Sequence, residues 1–117
     1  MKHERIRVTK MAGELINDFL TFLKCEKIQL DIQEDPDAFR IHITGTYRYL
    51  PDERLERVKN LLCQPRNYEL EEMYWSLSGE SDTDAELHLV GIMTDEVTIE
   101  RDVENRLLSI NLVRKKS

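Results

Sequence analysis

The sequence is short of the residues from which several kinds of protein are built. It holds four glycines in 117 residues. A phosphate-cradling loop needs glycines where backbone N–H groups approach the anion, and so few leave little to build one from. No G-x-S-x-G, Walker A or G-x-G-x-x-G pattern is present. Two cysteines, Cys25 and Cys63, make no disulfide scaffold. Each is expected near a helix end as a free thiol, with neither a base nor a helix N-terminus in view to activate it. His3, His42 and His88 stand at no metal-ligand spacing from cysteines or carboxylates. No apolar run approaches the roughly 20 residues of a membrane span. The opening Met1-Lys2-His3-Glu4-Arg5 lacks the apolar core of a signal peptide. A single cytoplasmic domain over residues 1–117, with no membrane partner, is the expectation.

Positive charge is also missing from one long stretch. No Lys or Arg stands between Asn67 and Glu100, where Glu69, Glu71, Glu72, Glu80, Asp82, Asp84, Glu86, Asp95 and Glu96 fall. The basic residues gather near the ends, and the formal net charge is -6. An acidic middle argues against nucleic-acid binding, which needs cations facing phosphate. Its plain reading is a solvated face. Tyr74 and Trp75 lie inside this stretch, and Tyr47, Tyr49 and Leu50 form a second aromatic patch. Such groups close a core edge, or they mark a protein-contact surface, where Trp and Tyr dominate.

Apolar periodicity supplies the elements. Val8, Met11, Leu15, Phe19, Phe22 and Leu23 recur at three- and four-residue steps, widened by Ile16 and Leu20, so a buried helix is predicted over about 8–25. Ile28, Leu30 and Ile32, then Phe39, Ile41 and Ile43, alternate with polar residues around Glu34-Asp35-Pro36-Asp37, which reads as a hairpin. Pro51 opens a helix carrying Leu55, Val58, Leu61 and Leu62, stopped by Gln64-Pro65. A short helix follows from the cap residue Asn67, with Leu70, Met73, Tyr74 and Leu77 inside. Residues 84–93 suit strand or helix. The capping-box spacing of Thr83 and Glu86 favours a helix. Val97 and Ile99, then Leu108, Ile110 and Leu112, make a closing hairpin. The order is α-β-β-α-α-α-β-β, and strands polar on one face imply helices on the other. The fold class is a two-layer α/β sandwich, with helices on one face of a mostly antiparallel four-stranded sheet.

The element order and the C-terminal third resemble the GHKL ATPase superfamily, nearest to the anti-sigma-factor serine kinases of bacterial partner switching. The local match is Glu86 to Val97, which is similar to the family's helix followed by "(M/L)-x-D-E-V". Leu107 to Arg114 is similar to its closing "N-x-L-x-L-V-K-R". Glu14 to Asp18 stands where that family keeps its E-x-x-x-N box, and Phe39 to Gly45 where it keeps "I-x-V-x-D-x-G". The resemblance implies an ATP site with Mg²⁺. Glu14 would be the general base, Asp18 would replace the Mg²⁺-binding Asn, and Thr44 or Thr46 would accept from adenine. It also implies where that site fails. Gly45 replaces the Asp that binds the adenine amino group. Tyr47 replaces a glycine beside the base. Asp84 and Glu86 replace the glycines that cradle phosphate. Two like charges ~4 Å apart cost on the order of 4 kcal/mol at an effective dielectric near 20, roughly a thousandfold in affinity.

Two functions compete. One is a non-catalytic interaction module without cofactor, contacting a protein signalling regulator or a second copy of itself through Glu69, Glu72, Tyr74, Trp75, Glu80, Asp82 and Asp84. The other is a divergent ATP- and Mg-dependent serine kinase or anti-sigma factor.

Overall fold

The computed structural model describes residues 4–75 and 83–116, and of residues 74, 75 and 83–86 the backbone alone. The elements are α1 (Glu4–Thr21), β1 (Ile28–Glu34), β2 (Ala38–Thr46), α2 (Asp52–Leu62), α3 (Tyr68–Trp75), α4 (Thr83–Ile92), β3 (Glu96–Asp102) and β4 (Leu107–Lys115). Their order is the one read from periodicity, and residues 83–92 form a helix. The strands lie in the order β1-β2-β4-β3, and every neighbouring pair is antiparallel.

Alternation along the two central strands sets the layers. Phe39, Ile41 and Ile43 of β2 and Leu108, Ile110 and Leu112 of β4 are buried, while Arg40 and His42 face outward. Val8, Met11, Leu15 and Phe19 of α1, with α2 and α4, cover the buried face. Ile32, on edge strand β1, is half exposed although it shares the inward phase, because an edge strand has a neighbour on one side only. α2 and α4 approach so closely that a Cβ at Gly91 would stand 2.2 Å from the Leu61 carbonyl oxygen. No helix among the described residues is long and apolar enough to cross a membrane.

Two boundaries differ from periodicity. α1 starts and stops about four residues earlier than predicted. Glu4, its first described residue, has its carboxylate bound by the distant Arg114. The end of α1 is fixed by Lys24, whose left-handed φ of 50° turns the chain out of the helix. Leu20 lies on the outward face of α1, 56% exposed, against the expectation of burial. In α3 the cap is as predicted: Asn67 Oδ1 accepts from the Leu70 amide at 3.0 Å. Its inward side is not. Met73 is 61% exposed and Glu71 is 1% exposed. Leu77 and the expected stop at Ser78-Gly79 lie outside the described residues.

Candidate functional site

Of the positions that the resemblance assigns to a nucleotide site, Asp18, Gly45 and Tyr47 lie near the C-terminal end of α1 and are packed against protein. Asp18 is 1% exposed and accepts a hydrogen bond from Arg54 Nη2 at 2.7 Å. A guanidinium from α2 thus sits on the carboxylate to which the resemblance assigned Mg²⁺. Arg54 in turn covers the Phe22 ring, 4.1 Å from its centre, an arrangement that favours a cation. Glu14 is part-buried, one turn earlier, and takes a hydrogen bond from Lys10 Nζ at 2.8 Å across one helical turn.

Gly45 is the tightest point. It lies on β2 under the end of α1, and a Cβ there would meet Phe19 Cδ2 at 2.6 Å and Cys25 Sγ at 2.7 Å. An aspartate at this position has no room. The Phe19 ring and the Cys25 thiol occupy the space above the strand. Tyr47 is buried in the same core. The side chains of Asp84 and Glu86 lie outside the described residues. α1 packs on α4. Two depressions lined by described residues lie elsewhere. One, of about 660 Å³, is beside the β3–β4 turn, and one, of about 280 Å³, is between α1 and β1 at Val8, Ile32 and Phe39.

Cys25 belongs to this packed corner. Burial, and the neighbouring Asp18 charge, push its thiol up to about 11 from the ordinary 9.0. Its thiolate is then about a hundredfold scarcer than that of an ordinary thiol at neutral pH, and the thiolate is the reactive form. Cys63 is exposed. Iodoacetamide at pH 8 is expected to modify Cys63 and spare Cys25, as read by peptide mass spectrometry. Equal rates at the two sites would contradict the packing around Gly45.

Of the proposed partner surface, Glu69 and Glu72 are exposed on α3. Glu72 is paired with Arg7 Nη2 at 2.9 Å. The side chains of Tyr74, Trp75 and Asp84, and the residues Glu80 and Asp82, lie outside the described residues. Of the histidines, His88 is half-buried on α4 and its Nδ1 is 2.7 Å from Gln64 Nε2.

The residue cluster that periodicity missed is ionic and buried. Arg114 is wholly buried. Its Nε and Nη2 donate to Glu4 at 3.1 and 2.9 Å, Nη1 and Nη2 donate to Glu71 at 3.1 and 2.6 Å, and Nη1 also donates to the Met93 carbonyl at 2.8 Å. Arg7 Nη1 donates to the same Glu71 carboxylate. Arg66 Nε stands 3.5 Å from it, while Arg66 Nη1 holds Asp95 at 2.8 Å. One signal in the sequence pointed here. Arg114 continues the inward phase of Leu108, Ile110 and Leu112, so an arginine had to be buried and therefore paired.

Burial by itself pushes the Glu71 carboxyl up, but the hydrogen bonds and charge of Arg114, with Arg7 and Arg66, outweigh it and hold it below its ordinary 4.5. A carboxyl lowered by folding stabilises the fold fully above the unfolded value, and that contribution is lost as the pH falls through the folded one. The urea midpoint is therefore expected to fall with pH below about 4.5, more steeply than in Glu71→Gln. Parallel pH profiles would show that Glu71 carries no such linkage.

No protein-family model and no curated protein matches this chain.

Proposed function

We propose that this chain is a non-catalytic regulatory module for protein interaction, built on a GHKL-like scaffold nearest to the bacterial anti-sigma-factor serine kinases and stripped of its nucleotide contacts. Its setting is bacterial signalling in the cytoplasm, and its partner is a signalling regulator or a second copy of itself. One observation carries the reading: the position matched to the adenine-binding aspartate is a glycine over which Phe19 and Cys25 leave no space for a side chain. The Asp18–Arg54 pair supports it, since a bound guanidinium competes with Mg²⁺ for the carboxylate. The exposed acids of α3 favour a partner segment of basic character.

Calorimetric titration with Mg-ATP is expected to give no heat of binding at micromolar concentrations. A micromolar dissociation constant would overturn the reading and restore the kinase alternative, with Glu14 as base.

A further inference from the structure

Three guanidiniums converge on one carboxylate. Arg114 donates two hydrogen bonds to Glu71, Arg7 donates one, and Arg66 Nε faces it at 3.5 Å. All three arginine side chains are more than nine-tenths buried. They come from α1, the α2–α3 connection and β4, and the acid comes from α3. Tertiary folding alone assembles them.

The donors exceed what Glu71 takes up. Arg66 Nε and Nη2 share one edge of the planar guanidinium. Both atoms are buried and have no hydrogen-bond partner among the described residues, although Nε stands 3.5 Å from the Glu71 carboxylate. A carboxylate is flat and offers two oxygens. A phosphoryl group offers three, tetrahedrally placed, with nearly two negative charges at neutral pH. We propose that Arg7, Arg66 and Arg114 form a phosphoryl-binding site, occupied in this structure by the chain's own Glu71 as an internal ligand.

The cradle outlasts the departure of Glu71. Glu4 stays on Arg114 and Asp95 stays on Arg66, while Glu71 and Glu72 leave with α3, so the departure takes two negative charges away from the arginines. The described side chains of α3 bury little apolar surface. Over 68–73, Glu71 is its one buried side chain, Leu70 is half-buried, and Tyr68, Glu69, Glu72 and Met73 are exposed. Charge holds this stretch where apolar packing holds the other helices. A phosphoryl group and α3 therefore compete for one site. In the wild-type chain that competition keeps phosphate binding weak, well apart from any micromolar nucleotide affinity.

The test uses inorganic phosphate as probe, with a phosphoserine peptide in parallel, at matched ionic strength. Glu71→Gln keeps the shape and removes the competing charge. Phosphate is expected to bind Glu71→Gln at least tenfold more tightly than wild type, and to raise its melting temperature by more than it raises that of wild type. Adding Arg66→Gln to that variant should abolish both gains. Tighter binding of the peptide assigns the site to a phosphorylated protein side chain, and tighter binding of the free ion assigns it to phosphate itself. Should Glu71→Gln fail to fold, hydrogen exchange in the wild-type chain decides: phosphate should accelerate the α3 amides relative to the rest of the molecule. No preferential stabilisation of Glu71→Gln, a gain that survives the loss of Arg66, or unchanged α3 exchange where that variant does not fold would overturn the site.

Discussion

Arg114→Met is expected to lower the unfolding free energy by about 3–5 kcal/mol, the usual loss when one partner of a buried ion pair is removed. The apolar replacement fills much of the volume, so lost packing is a minor part. The loss comes from the acids left behind. Glu4 and Glu71 each surrender hydrogen bonds from Arg114, and the Met93 carbonyl loses its donor at the end of α4. Arg114→Lys should recover little, since a single ammonium cannot reproduce a planar fork that serves two carboxylates and a carbonyl at once. Urea titration reads the effect as a lower midpoint at unchanged slope. A loss under ~1 kcal/mol would place the cluster among the ion pairs that contribute little.

Gly91→Val should be nearly as damaging. A Cβ at this position would lie 2.2 Å from the Leu61 carbonyl oxygen and 3.2 Å from Leu62 Cα. Both neighbours are backbone, so α2 and α4 must separate, and overpacking of this kind costs about 3 kcal/mol at the upper end of its usual range. Gly13 is the internal control. It sits in α1 with nothing within 4 Å of the same constructed Cβ. Gly13→Ala should therefore stabilise the protein by up to ~1 kcal/mol through helix propensity. Thermal denaturation of the two variants should move in opposite directions. A shared direction would contradict the α2–α4 contact.

The two glycines look alike in the sequence, and only their neighbours separate them. Periodicity reports which side of an element is apolar. It does not report how near the next backbone runs, because that distance belongs to a pair of elements far apart in the chain. Gly45 behaves in the same way. As a departure from a family pattern it reads as a missing side chain, and in the structure it is the place where Phe19 and Cys25 rest on β2.

The sequence by itself determined the order of the eight elements, the two hairpins, the Asn67 cap and the helical state of 83–92. These depend on neighbours within a few positions, through alternation, three-to-four spacing and capping. The tertiary structure decided what the charged residues do. Glu71 stands in an acidic run and reads as solvated, and Arg114 reads as part of a basic end. Folding brings residues 43 positions apart to 2.6 Å and buries both. A charge carries no periodic signature of its own partner, so the ionic cradle became visible only when α1, α3 and β4 met. The scarcity of glycine has the same resolution. Among the described residues, two of the glycines stand where the fold leaves space for no side chain at all.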